Sequence, residues 1–167
     1  MRQMRESGIT FDFAEMKSVV RQDSKADGGH ECWSGIDFRC VTATGEHLWI
    51  EIKNFDLSRF PPRFRGGKQR EYVGKISSKS LAREIRDKFL GTAAYLGLTG
   101  TLERQPILYV AIVEPPRAVD KALLLGLSDQ LAGFLQKRLP WTSPASLIVM
   151  SLDEWNKIYT EFPAEKD

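Results

Sequence analysis

From Gly35 onward, Ile36, Phe38 and Cys40 alternate with Asp37, Arg39 and Val41, and a few residues later Leu48, Ile50 and Ile52 alternate with Trp49, Glu51 and Lys53. A period of two marks strands buried on one face. Between the runs, Ala43-Thr44-Gly45 suits a three-residue hairpin loop, whose last position is left-handed and favours glycine. If Thr42 faces Glu46, the same register sets Asp37 opposite Glu51, with Cβ atoms about 5 Å apart, and Lys53 opposite Gly35.

The rest of the chain is read in the same way. Asp12 followed by Glu15 has the form of a capping box, flanked by Phe11 and Met16 as a hydrophobic staple, which predicts a first helix from about Asp12 to Arg21. The polar stretch Gln22–Gly29 ends in two glycines, so strands begin near His30. A long connection from Asn54 to Lys79 precedes a helix over about Ser80–Leu96, with Leu81, Ile85, Phe89 and Leu96 near one face. A strand (Ile107–Val113), a helix (about Val119–Leu139), a strand (Leu147–Met150) and a last helix opened by Ser151-Leu152-Asp153-Glu154 complete the order. Strands joined through helices pair in parallel and the hairpin pairs antiparallel, so the expected class is α/β, a mixed sheet flanked by helices.

At 167 residues, 42% hydrophobic and 28% charged, the chain fits one globular domain. Its longest apolar runs fall far short of the roughly 18 residues that span a bilayer, and no apolar stretch of a secretory signal follows the basic N-terminus. The cytoplasm is the expected compartment. Two cysteines, Cys32 and Cys40, are too few for a disulfide framework. His30 and His47 have no Ser or Cys partner placed for nucleophilic catalysis, and Gly-rich phosphate loops are absent, so no nucleotide cofactor is implied.

Two facing carboxylates repel one another unless a positive charge sits between them. A divalent cation bound through oxygens meets that need, and with no His/Cys cluster Mg²⁺ (Mn²⁺ as a substitute) fits better than zinc. Lys53 lies two residues beyond Glu51 on the same strand face, where it could orient or deprotonate a water or stabilise charge on a pentavalent phosphorus. The alternative is a solvated hairpin face carrying a cross-strand ion pair.

Asp37 followed by Glu51-Ile52-Lys53 on the next strand resembles the signature of the PD-(D/E)XK nuclease superfamily. The resemblance implies a restriction-endonuclease-like core (α-β-β-β-α-β) over about residues 12–113, with residues 114–160 as a C-terminal α-β-α extension. It implies Asp37, Glu51 and the Ile52 carbonyl as metal ligands and Lys53 as the catalytic lysine. An acid from the first helix often joins them; Glu15 is the candidate, although the capping box accounts for it equally. Ile36 stands where the name-giving proline would be. Gly91 precedes Tyr95 by four residues where a glutamine would mark the RecB-like branch.

Between Asn54 and Lys79, Arg59, Arg63, Arg65, Lys68, Arg70, Lys75 and Lys79 stand against Asp56 and Glu71, seven cations to two acids. Phe55, Phe60, Phe64 and Tyr72 are interleaved with them, so the segment could grip phosphates and stack on bases. The expected partner is nucleic acid, DNA before RNA by the resemblance, with a homodimer possible for cutting both strands. The reading from another class is a catalytically silent nucleic-acid-binding or protein-interaction module on the same fold.

Overall fold

The computed structural model describes residues 2–22, 35–102, 105–117, 121–135 and 146–167. Its central sheet has the order β3-β4-β5-β6-β7. Strands β3 (Ser18–Arg21), β4 (Phe38–Val41) and β5 (His47–Asn54) form an antiparallel meander. Strands β6 (Ile107–Glu114) and β7 (Ser146–Met150) then add in parallel. The chain is therefore a mixed α/β fold, as the alternation of strand and helix patterns predicts.

One face of the sheet is covered by α1 (Pro62–Ser77), α2 (Ser80–Leu98) and α3 (Ala122–Leu135), which pack on Trp49, Tyr109, Ala111 and Val113. The other face meets a small sheet, β1 (Gln3–Glu6), β2 (Ile9–Asp12) and β8 (Ala164–Lys166), together with α4 (Leu152–Ile158). Phe11, Phe13, Phe38, Ile50, Ile52 and Trp155 are buried between them. Both faces of β5 are thus covered, which is why its residues from Leu48 to Ile52 are all buried.

The expected first helix over Asp12–Arg21 is not formed. Asp12 ends β2, and its Oδ1 accepts from the Ala14 amide at 3.0 Å, so the side chain closes a turn where a helix cap was expected. Ile9, Phe11 and Phe13 alternate with Thr10 and Asp12, and all three are fully buried. That period of two, followed by the β-branched Val19 and Val20 in β3, outweighs the cap-like pattern. The Asn54–Lys79 connection is also not a loop: a short 3-10 helix (Leu57–Arg59) leads into α1, opened by Pro62. Lys79, at φ 59°, turns the chain into α2.

The remaining elements lie within a few residues of their expected bounds, and α4 carries the capping box of Ser151 and Glu154. Val119, residues 136–139, Cys32, His30 and the polar glycine stretch from residue 23 lie outside the described residues. Cys40 is a buried free thiol, pushed up to about 12 by burial. No described helix is long and apolar enough to cross a membrane.

Candidate active site

The hairpin has the expected register. Phe38 pairs with Ile50 and Val41 with His47, and the loop closes through Thr42 and Glu46 with Gly45 at φ 87°. One step beyond Phe38, Asp37 enters the ladder beside Glu51, its amide donating to the Ile50 carbonyl at 3.1 Å. The strand that carries Glu51 also holds Asp37 in place: the Ile52 amide donates to Asp37 Oδ2 at 2.7 Å. From α2, the Thr92 hydroxyl accepts from the Ile36 amide at 3.0 Å and fixes the entry to β4.

These side chains do not face solvent. Asp37 is 4% exposed and Glu51 1%, both beneath α2. The helix supplies Lys88, whose Nζ stands 3.8 Å from Asp37 Oδ1 and 3.6 Å from Glu51 Oε1, so that one ammonium bridges the two acids. It also supplies Glu84, which with Glu51 brackets Lys53: Nζ is 2.5 Å from Glu84 Oε1 and 3.0 Å from Glu51 Oε1. Lys75 of α1 completes the chain of charges at 3.4 Å from Glu84 Oε2.

Burial dominates the proton affinities here. It raises Asp37 to about 8, with Glu51 adding to the effect and Lys88 opposing it. Burial raises Glu51 also, against Lys53 and Lys88. For Lys53 burial pulls downward, but Glu51 and Glu84 outweigh it and hold the amine above its ordinary range. Lys53 therefore stays an ammonium at neutral pH and is suited to orienting a water or balancing negative charge, rather than to taking a proton. Burial also acts upward on Glu84, but Lys53 and Lys75 overcome it and lower the net value.

Asp37 and Glu51 are the oxygen donors that could hold a hard cation, in the place where the Lys88 ammonium bridges them. Lys53 Nζ stands 3.0 Å and Lys88 Nζ 3.6 Å from Glu51 Oε1, while Glu51 Oε2 is buried with no hydrogen-bond partner among the described residues. A buried carboxylate left so is costly unless a cation or proton meets it. Among the described residues no group of three or more His, Cys, Asp or Glu converges as a metal cluster. Asp37 and Glu51 would act as a pair, with the Ile52 carbonyl as a backbone donor. Two carboxylates with retained waters suit Mg²⁺, which dehydrates reluctantly.

Glu15 does not join this group. It is exposed in the β2–β3 connection, and the N-terminal acid whose charge reaches Asp37 is Glu6 on β1, paired with Arg21. The Ser7-Gly8 pair that turns β1 into β2 is a short hairpin signal that could have located it. Glu84 and Lys88 were legible as an i, i+4 pair beside the apolar face of α2, where their common direction would carry both toward the sheet.

The basic segment divides in two. Lys75 belongs to the half-exposed end of the charge chain, and Phe55 and Tyr72 pack on each other in the core at 5.0 Å. Arg59 lies against Gly8, Arg65 donates to the Phe60 carbonyl, and Lys68 pairs with Glu71 over the Phe60 ring. Arg63, stacked on the half-exposed Phe64, and Arg70 have no carboxylate partner among the described residues; with Lys79 they remain on the surface. The first turns of α1, residues 62–67, are exposed on all sides.

No family model, curated protein or solved structure matches the chain.

Proposed function

We propose that this protein is a Mg²⁺-dependent nuclease hydrolysing phosphodiester bonds, with DNA as substrate before RNA and Mn²⁺ able to replace Mg²⁺. The observation that carries the reading is the meeting of Asp37 and Glu51 under Lys88, with Lys53 beside them and Glu51 Oε2 buried without a hydrogen-bond partner among the described residues. Such a group is costly to bury unless a cation and an anionic substrate use it.

Asp37, Glu51 and the Ile52 carbonyl hold the metal in this reading. The ion supplies Lewis acidity toward a phosphoryl oxygen and a bound water of lowered pKa. Lys53, kept protonated by Glu51 and Glu84, orients the attacking water and balances the charge that gathers at phosphorus. Arg63, Arg70 and Lys79 bring phosphates toward the site. The three-strand meander, helical crossover and parallel strand support a restriction-endonuclease-like core in which the β1–β2 hairpin takes the place of the first helix.

A second reading, a silent binding module, is favoured by one observation: Lys53, Lys88 and Lys75 already balance the three acids within the protein. Cleavage of single- and double-stranded DNA and RNA by wild-type and Lys53→Ala protein, with Mg²⁺, Mn²⁺ or EDTA, separates the two. Metal-dependent cutting lost in the variant supports the nuclease. Nucleic-acid binding without cutting, unchanged by EDTA and by Asp37→Ala, supports the module.

A further inference from the structure

Lys88 is fixed at its backbone and loose at its tip. Its neighbours on α2, Ile85 and Phe89, are fully buried. The Thr92 hydroxyl donates to the Lys88 carbonyl at 3.1 Å and accepts from the Ile36 amide, which ties this turn of the helix to the residue before Asp37. The side chain, by contrast, is 23% exposed, and its ammonium stands 3.8 Å from Asp37 Oδ1 and 3.6 Å from Glu51 Oε1. Both distances exceed the roughly 2.7–2.9 Å of a charge-assisted hydrogen bond. A flexible four-carbon stem lets such an ammonium withdraw into water while the helix stays in place.

The oxygens that Lys88 faces are those a metal ion would need. Asp37 Oδ2 already accepts from the Ile52 amide at 2.7 Å, which leaves Oδ1, the oxygen turned toward Lys88. Glu51 is 1% exposed, and its Oε2 is buried with no hydrogen-bond partner among the described residues. Charge favours exchange over addition. Asp37, Glu51 and Glu84 are already matched by Lys53, Lys88 and Lys75. A divalent ion added to that set leaves two uncompensated positive charges, and an ion and an ammonium that share the same two acids repel at short range.

We infer that Lys88 is the resident cation of the Asp37–Glu51 site, and that Mg²⁺ binds there by taking its place while the ammonium withdraws to solvent. The inference rests on the metal-binding part of the nuclease reading. Lys88 then acts through the two acids: it sets the Mg²⁺ concentration at which the site fills.

The test is Mg²⁺ binding to the full chain by calorimetry at about pH 9, where protons compete least for the acids. Lys88→Met is expected to bind Mg²⁺ about tenfold or more tightly than the wild type. Lys53→Met controls for lost charge alone, because the Lys53 ammonium lies nearer to Glu51, at 3.0 Å; its gain is expected to be smaller. Asp37→Asn should abolish binding. In wild-type protein, acylation of Lys88 followed by mass spectrometry should rise several-fold on addition of Mg²⁺, with no rise in Asp37→Asn, a readout that does not depend on Lys88→Met folding. Unchanged affinity in folded Lys88→Met, a gain as large in Lys53→Met, or Lys88 labelling indifferent to bound Mg²⁺ overturns the exchange. Cleavage keeps the two ideas apart. Protein that cuts with Mg²⁺ while Lys88 labelling stays constant removes the exchange alone, whereas Mg²⁺ that binds and releases Lys88 without any cutting removes the hydrolase alone. Mg²⁺ binding by none of these proteins removes both.

Discussion

Replacing Asp37 by Asn changes one atom and removes a charge that burial resists. In the folded protein without metal, Asp37 is raised from 3.8 to about 8, first by burial and then by Glu51. The folded state therefore holds a proton that the unfolded state releases, so Asp37 favours folding below about pH 4 and loses that contribution as the pH rises through about 8. At about 1.4 kcal/mol per tenfold change in proton affinity, the full span is bounded at about 6 kcal/mol. Most of that span is lost between about pH 5 and pH 8, on the order of a few kcal/mol. For a chain of this length that corresponds to a fall in Tm on the order of ten degrees. Thermal unfolding in EDTA across this range should show wild-type protein losing stability with rising pH more steeply than Asp37→Asn. Mg²⁺ should reverse the loss at the alkaline end for the wild type only, by about 1.4 kcal/mol for each tenfold excess over its Kd. Parallel Tm profiles for the two proteins in EDTA would refute the argument, whatever their absolute stabilities.

Three further outcomes are expected. Lys53→Met should lower kcat for cleavage by about 10²–10³-fold with little change in KM, because the ammonium acts on developing charge; a change confined to KM would make it a binding cation. Gly67→Ala and Gly74→Ala should each raise stability by about 0.5–1 kcal/mol in chemical denaturation, since both sit within α1 and an added Cβ meets nothing within 4 Å; a loss would show that the helix needs its freedom there. Arg63→Ala and Arg70→Ala should each reduce the slope of log affinity against log salt by about 1 in DNA binding measured in EDTA, and an unchanged slope would take those side chains off the binding surface.

The hairpin was legible because two rules agreed on it: a period of two on both strands and a loop whose glycine position permits a single register. Periodicity alone located α2 and β6, and the capping box of Ser151 and Glu154 located α4. The N-terminal segment misled because Asp12 and Glu15 imitate a cap in three positions, while the evidence for strands, Ile9, Phe11 and Phe13, is spread across a turn. The helix α1 was hidden by Gly66 and Gly67, residues that read as loop and are tolerated in a helix that gains its hold only at Tyr72 and Ile76. Burial of the acids was not legible at all. A strand with polar residues on one face looks solvated, and only the placement of α2 over β5, set by Leu81, Ile85 and Phe89, determines that Glu51 and Asp37 are enclosed.

The hairpin also has a place in time. Its two strands are joined by a three-residue loop and close on the scale of about microseconds, whereas β5 must wait for β6, far along the chain, before the sheet is complete. In an uncovered hairpin Asp37 and Glu51 stand in water, and it is α2, through Leu81, Ile85 and Phe89, that encloses them. The helix that seals the like charges together also brings Lys88 and Glu84 to them. Closing the core over this hairpin therefore requires that the acids be neutralised, by a proton or by a cation, in the same act that packs α2 on β5.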